Sequence, residues 1–172
     1  MIITLLGYMG SGKSTIGLQL ATILGYEFID LDNFIEKKEQ LSVKEIFETK
    51  GEIYFRKLEN TCLKEIYASQ NNIVLSLGGG TPCFSGNMEL INSENSKSIY
   101  LKLLPKSLSD RLFSEKGHRP LISHLKTEDD LVEFIAIHLF ERQNFYSQAA
   151  NIITTDNLTV NETVENIVKV LY

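Results

Sequence analysis

A short segment near the start of the chain combines three glycines with an adjacent lysine and serine. It spans residues 7–14 and reads GYMGSGKS. Glycines let the backbone curve around an anion with its N–H groups pointing inward, where a Cβ would block the turn. In such a loop Lys13 reaches the outer phosphates of a nucleotide, and the Ser14 hydroxyl is placed for Mg²⁺. The spacing predicts a nucleotide phosphate site, whereas a plain glycine turn would leave the Lys-Ser pair without a use.

Two aspartates lie at the end of the second strand-like run of the sequence. The period of two along a strand puts Asp30 and Asp32 on the same side, next to the nucleotide. Asp30 could hold Mg²⁺ through its water shell, and Asp32 could accept a hydrogen bond from a substrate hydroxyl and remove its proton. The alternative is a solvated strand end or a helix N-cap. Their position after a phosphate loop favours the functional interpretation.

Glycines and arginines supply the remaining candidate groups. Gly78, Gly79 and Gly80 follow the third strand-like run, where bare backbone would let a ligand lie close, although a flexible turn is the alternative. A guanidinium binds carboxylates and phosphates in paired geometry, so two arginines facing one pocket would suit an anionic substrate. Taken singly, each arginine could equally be a surface charge. The arginines of the chain are Arg56, Arg111, Arg119 and Arg142.

The charge of the chain excludes two classes of partner. Its 172 residues carry a formal net charge of -5, and the sequence pI is near 5.3. Nucleic acids and anionic membranes both require a basic surface, so we expect neither as a partner. The two cysteines, Cys62 and Cys83, lack metal-like spacing and predict a reduced, cytoplasmic protein. No apolar stretch is long enough to span a bilayer, and the length fits one domain.

Strand-like runs alternate with helical sequence along the whole chain, which predicts an α/β fold with a mostly parallel sheet. Capping boxes at Ser42/Glu45 and Thr159/Glu162 mark two helix starts. Residues 114–126 have the weakest periodicity and read as a loop, and a loop of this length is typically a lid or a binding loop. The predicted strands are residues 2–6, 27–31, 73–77, 98–103 and 152–154.

The set of motifs resembles the shikimate kinases. The phosphate loop, the Asp-x-Asp pair, Phe55-Arg56, the glycine run, Arg119-Pro120-Leu121 and the Arg142 segment occur in the order seen in that family, over nearly the whole chain. The resemblance implies a P-loop kinase three-layer sandwich with a central five-stranded parallel sheet, similar to nucleoside monophosphate kinases. It implies one kinase domain over residues 1–172, with a substrate-binding helical region at about 33–62 and a lid at about 114–126.

The resemblance also implies an activity, in which the γ-phosphoryl group of ATP passes to the 3-hydroxyl of shikimate with Mg²⁺ present. Lys13, Asp32 and Arg119 are then the expected catalytic residues, and Ser14 and Asp30 the expected metal residues. The expected shikimate contacts are Asp32, Arg56, Gly78, Gly79, Gly80 and Arg142. The expected ATP contacts are Gly10, Ser11, Gly12, Lys13, Ser14, Thr15, Arg111 and Arg119.

Two other functions fit part of the sequence. Another small-molecule P-loop kinase, such as a gluconate kinase, would also use two arginines and an aspartate, because gluconate offers hydroxyls and a carboxylate. A nucleotide-binding regulator without catalysis would keep the phosphate loop alone. We expect a monomer, since the chain is small and a single substrate pocket is predicted.

Overall fold

Five parallel strands form the central sheet: β1 (Ile2–Leu6), β2 (Glu27–Asp30), β3 (Ile73–Ser76), β4 (Ser96–Lys102) and β5 (Asn151–Thr154). Their order across the sheet is β2-β3-β1-β4-β5. The structure is a computed structural model that describes residues 1–69, 71–84, 86–118 and 121–172, and the side chains of residues 116–118 are also outside the description. The predicted five-stranded parallel sheet is confirmed.

The central strand shows why the fold has three layers. All five residues of β1 are buried. Ile2 and Leu6 belong to the apolar cluster on one face of the sheet, and Ile3 and Leu5 belong to the cluster on the other face. Side chains alternate across a strand, so a strand that is apolar at every position but one needs helices on both faces.

Seven helices lie among the described residues: α1 (Lys13–Leu24), α2 (Leu31–Glu39), α3 (Val43–Ala68), α4 (Asn87–Ile91), α5 (Pro105–Leu112), α6 (Glu128–Tyr146) and α7 (Val160–Leu171). Helix α5 packs against α6 in a third apolar cluster. Helices α1 and α7 pack on one face, and α2, α3, α4 and the end of α6 pack on the other. None of the helices in the described ranges is both long and apolar enough to cross a membrane.

The helix starts follow their caps. Both predicted capping boxes, Ser42/Glu45 and Thr159/Glu162, are present at α3 and α7. A third box, Thr127 with Asp130, begins α6. Within α3 the helix breaks at Gly51, whose φ of 82° and ψ of 170° lie outside the helical region.

The prediction that Asp30 and Asp32 lie on one side of a strand is wrong. Strand β2 ends at Asp30, and Asp32 lies in the first turn of α2. The Asp30 carboxylate accepts the backbone N–H groups of Asp32 (3.2 Å) and Asn33 (3.4 Å), so it caps this helix. The helix N-cap is therefore Asp30 and not Asp32, for which the sequence offered that alternative.

Candidate active site

The phosphate loop has the backbone that its glycines predict. Gly10 and Gly12 have φ values of 78° and 90°, which side chains other than glycine rarely adopt. The loop leads directly into α1, so its N–H groups and the helix N-terminus form an anion site. The Lys13 ammonium donates hydrogen bonds to the carbonyls of Gly7 (3.0 Å) and Tyr8 (2.9 Å), which place it along the loop.

A hydroxyl and a carboxylate lie together beside this loop. Ser14 Oγ donates a hydrogen bond to Asp30 Oδ2 at 2.8 Å, and Ser76 Oγ lies 3.4 Å from the same hydroxyl. The described residues contain no cluster of three or more His, Cys, Asp or Glu side chains that could hold a metal. A magnesium ion that takes most of its ligands from water and phosphates needs only such a pair of protein oxygens. The donor set therefore fits Mg²⁺ bound together with a nucleotide.

Two cavities meet at the carboxyl ends of the strands, where open α/β sheets bind ligands. The larger one, about 630 Å³, is bordered by the phosphate loop, Asp30, Arg111 and residues of α7. The smaller one, about 370 Å³, is bordered by Arg56, Glu59, Arg142 and apolar residues of α3. The two share Met9, Asp32, Gly78 and Gly79. A ligand in one cavity can therefore reach a ligand in the other across Asp32.

Each glycine of the run lies under one charged side chain. A Cβ built on Gly78 would lie 3.1 Å from Asp32 Oδ1, and one on Gly79 would lie 3.5 Å from Arg142 Nη1. One on Gly80 would lie 2.9 Å from Arg56 Nη2. Because the glycines have no side chains, these three groups can approach one cavity. The flexible-turn alternative does not explain this arrangement.

Glu59 is a site residue that the sequence motifs do not reveal. Its side chain is 1% exposed and accepts hydrogen bonds from Thr81 Oγ1 (2.7 Å) and Arg56 Nη1 (3.1 Å). The Arg56 guanidinium also lies 4.2 Å from the ring centre of Phe84. These contacts fix Arg56 in one direction. The available signal was a glutamate four residues after Phe55, on the apolar stripe of α3.

Arg142 is held differently. Its guanidinium lies 5.4 Å from the ring centre of Tyr8, and Tyr146, four residues further along α6, donates a hydrogen bond to the Gly79 carbonyl at 2.6 Å. In the described part of the chain, Arg142 has no carboxylate within ion-pair distance. The Tyr146 side chain also forms a hydrogen bond with Arg142, and no carboxylate of the described residues occupies this guanidinium.

The environment of Asp32 changes its acidity. Burial, together with the negative charges of Asp30 and Glu59, raises the pKa of Asp32 to about 6 against the lowering effect of Lys13. A carboxylate of this pKa is a stronger base than an exposed aspartate and is still ionised at neutral pH. The group can therefore accept a proton from a hydroxyl bound beside it.

The far end of the larger cavity is bordered by Arg111, Leu158 and Val160. Arg111 Nη1 donates a hydrogen bond to the Gly10 carbonyl at 3.4 Å. The Asp156 carboxylate accepts hydrogen bonds from the Leu104 N–H and the Ser107 hydroxyl, which connects the loop after β5 to α5. This end therefore combines a flat guanidinium with apolar side chains.

Part of the predicted lid is a short helix. Residues Phe113–His118 form a 3-10 helix, whereas the weak periodicity of residues 114–126 predicts a loop. Arg119, the predicted catalytic arginine, lies outside the described residues. His138, on the helix that follows, packs against Phe134 with ring centres 4.1 Å apart.

A family model for shikimate kinase matches residues 9–172. The chain belongs to the shikimate kinase family. It is 47% identical to a shikimate kinase of Flavobacterium johnsoniae over 169 residues, which cover 98% of each chain. The crystal structure of shikimate kinase from Bacteroides thetaiotaomicron has 39% identity and a TM-score of 0.91, covering 99% of this chain and 98% of that one. Shikimate kinase from Acinetobacter baumannii in complex with shikimate has 30% identity and a TM-score of 0.85, covering 99% and 92%.

These comparisons confirm the predicted shikimate kinase function and a phosphotransferase with an alcohol acceptor. A deoxyadenosine kinase from M. mycoides, 20% identical with a TM-score of 0.60, shares the fold alone. The shikimate kinase relatives favour the first functional hypothesis over the gluconate kinase and the inactive regulator. ATP use follows from the family.

The glycine run of this shikimate kinase gives a first testable prediction. Gly80→Ala should raise the KM for shikimate about tenfold, because the new methyl group would displace Arg56 Nη2. The backbone itself should accept alanine, since the φ of -90° at this position suits any residue. Steady-state kinetics with each substrate varied would measure this. In an Arg56→Ala background the same substitution should add little, and an equal further loss there would contradict the steric explanation.

Proposed function

We propose that this site transfers the γ-phosphoryl group of ATP to the 3-hydroxyl of shikimate, with the nucleotide in the larger cavity and shikimate in the smaller one. The observation that carries the proposal is the junction of the two cavities at Asp32, Gly78 and Gly79. Phosphoryl transfer needs the two substrates in line and the developing charge stabilised, with little covalent chemistry from the protein.

On the donor side, backbone N–H groups of Gly10, Ser11 and Gly12 bind phosphate oxygens, as the loop geometry supports. Lys13 leaves its loop carbonyls for the outer phosphates, where an ammonium stabilises the charge that spreads over the transferred group. Ser14 and Thr15 at the start of α1 border the same cavity. Arg111 lies against the adenine, with Leu158 and Val160 on the opposite side.

Mg²⁺ is the cation that we assign to Ser14 and Asp30. When bound, it neutralises phosphate charge and orients the terminal phosphate. The Ser14 hydroxyl is positioned to contact the ion, and Asp30 holds the water shell around it. The same carboxylate caps α2, so one side chain aligns the metal site with the helix that carries Asp32.

On the acceptor side, Arg56 and Arg142 bind the shikimate carboxylate from two directions. Their guanidinium groups lie over Gly80 and Gly79, so the missing side chains of these glycines let both arginines reach the acceptor cavity. Asp32 accepts the hydrogen bond of the reacting hydroxyl and takes its proton. Arg119 stabilises the transferring phosphoryl group when the lid at about 114–126 closes and excludes water.

We further propose that residues 1–172 act as one kinase domain with the substrate-binding helical region at about 33–62. We also propose that the enzyme works as a monomer in the cytoplasm, without a nucleic-acid or membrane partner. The free thiols of Cys62 and Cys83 support a reducing compartment. The acidic net charge of -5 supports the absence of polyanionic partners.

An assay of ADP release tests the function. Shikimate, gluconate and nucleoside monophosphates would be compared as acceptors in parallel, with and without Mg²⁺. We expect turnover with shikimate, dependence on the metal, and a rate without acceptor at the level of slow ATP hydrolysis. Turnover with another acceptor and none with shikimate would refute the proposal.

The metal assignment gives a second prediction. Asp30→Asn should raise the Mg²⁺ concentration for half-maximal rate by about ten- to a hundredfold, because an outer ligand of the ion loses its charge. Asparagine caps helices as well as aspartate does, so α2 should be preserved. Magnesium titrations at saturating ATP and shikimate would measure the shift, and an unchanged half-maximal concentration would contradict the assignment.

A further inference from the structure

Three side chains along one stripe of α6 contact the ends of the strands. They are His138, Arg142 and Tyr146, each four residues apart and therefore neighbours on the helix surface. His138 Nδ1 forms a hydrogen bond with the Tyr8 hydroxyl at 3.0 Å. Tyr146 donates its hydrogen bond to Gly79, and Arg142 lies between the two contacts. Helix α6 is thus connected to the phosphate loop on one side of Arg142 and to the glycine run on the other.

The Tyr8 side chain has no assigned role in the proposed reaction. It belongs to the phosphate loop but is 1% exposed, so its ring is directed away from the nucleotide and into the protein. Its backbone carbonyl accepts the hydrogen bond of Lys13 at 2.9 Å, and its ring lies 5.4 Å from the Arg142 guanidinium. One residue therefore contacts a phosphate-binding lysine and a carboxylate-binding arginine.

The two arginines of the acceptor cavity differ in how they are held. Arg56 has the buried carboxylate of Glu59 beside it. Arg142 has aromatic neighbours, and no carboxylate of the described residues lies within 4 Å of it. A flexible arginine loses much rotamer freedom on binding, and a surface that already orients it lowers that cost. The negative face of a tyrosine ring attracts a guanidinium and can serve as this surface.

The charge state of Tyr8 agrees with this role. Burial raises the pKa of Tyr8 to about 12, although Arg142 opposes the shift. The phenol therefore stays neutral at physiological pH and does not form an ion pair that would compete with a substrate carboxylate. The guanidinium keeps its full charge for the ligand.

We propose that Tyr8 is a positioning residue for Arg142: its ring orients the guanidinium toward the substrate carboxylate, and its hydrogen bond to His138 keeps the ring in place. The proposal rests on the assignment of Arg142 to that carboxylate under the proposed function. The phosphate loop is then part of the acceptor site, because Tyr8 determines how well Arg142 on a distant helix recognises shikimate.

The test compares shikimate with its methyl ester, which keeps the ring and hydroxyls but has no negative charge. Dissociation constants for both ligands would be measured calorimetrically on the full chain with ADP present. The readout is the dissociation constant of the ester divided by that of the acid. Arg142→Ala should lower this ratio strongly. Tyr8→Leu should also lower this ratio, by about five- to tenfold, because the cation–π contact is lost.

Tyr8→Phe keeps the ring and removes only the hydrogen bond to His138, so the ratio should fall about threefold. This variant also keeps the core packing, in case Tyr8→Leu does not fold. Phe140→Ala is the matched control, because Phe140 is 79% exposed on the same helix, and it should leave the ratio unchanged.

General damage to the loop would weaken both ligands equally and leave the ratio unchanged. A constant ratio in both Tyr8 variants, with a lowered ratio in Arg142→Ala, would overturn the positioning role alone. A constant ratio in Arg142→Ala would refute the assignment of Arg142 to the carboxylate, and the role of Tyr8 with it.

Discussion

Asp32→Asn should lower kcat by about 10²- to 10⁴-fold, the usual contribution of a positioned general base. Asparagine has nearly the same shape and can still accept a hydrogen bond from a shikimate hydroxyl. The KM for shikimate should therefore change much less than kcat. Single-turnover measurements of ADP formation would separate the chemical step from product release.

The pH dependence identifies the role of this carboxylate. Because burial raises the pKa of Asp32 to about 6, kcat/KM for shikimate should decrease as the pH falls through about 6. The Asp32→Asn variant should lack this acid limb. Glu94→Gln is the control, since Glu94 is exposed just before the amino end of β4, away from the carboxyl ends of the strands, and its profile should match that of the parent enzyme.

Stability should change in the opposite direction to activity. A carboxyl whose pKa is higher in the folded than in the unfolded chain binds protons more tightly when folded, so its stabilising contribution decreases as the pH rises from about 4 to 6. At pH 7 Asp32→Asn removes this cost and should raise the free energy of unfolding by up to about 3 kcal/mol. A slower and less stable variant would instead indicate structural damage, and an unchanged kcat would show that the transfer needs no base here.

Local sequence patterns predicted much of the fold. The alternation of apolar runs gave all five strands to within two residues at each end, and two capping boxes marked the starts of α3 and α7. Such signals lie within a few neighbouring residues, so no tertiary knowledge is needed to recognise them. The phosphate loop is of the same kind, because its function depends on the backbone of eight consecutive residues.

The contacts that complete the site could not be predicted in this way. The period-two spacing predicts that Asp32 lies on a strand, because spacing alone does not show that Asp30 caps the start of a helix. The Tyr8 hydroxyl meets His138 across 130 positions of sequence. Glu59 and Thr81 are separated by 22 positions and meet only when α3 packs against the segment after β3. Pairings of this type depend on tertiary packing, so the sequence identified each arginine but not what holds it.

Glu59→Ala should lower the free energy of unfolding by about 3–5 kcal/mol, because it removes one partner of a buried ion pair and leaves the other without compensation. Glu59 is 1% exposed, and its carboxylate is bound to Arg56 and to the fully buried Thr81 hydroxyl. A domain of this kind is usually stable by only about 5–15 kcal/mol, so the loss should be evident in urea unfolding. The KM for shikimate should also rise, since Arg56 loses its orientation.

Glu59→Gln separates the charge from the hydrogen bonds. The amide oxygen can still accept the Thr81 hydroxyl, so the stability loss should be smaller than in the alanine variant, whereas the weakened hold on Arg56 should still raise the KM. The double variant Arg56→Leu/Glu59→Leu should lose less stability than the sum of the losses in the two single variants, because no unpaired charge remains buried. Additive losses would show that Glu59 acts through packing alone and that Arg56 takes its direction from the aromatic rings of Phe84 and Phe55.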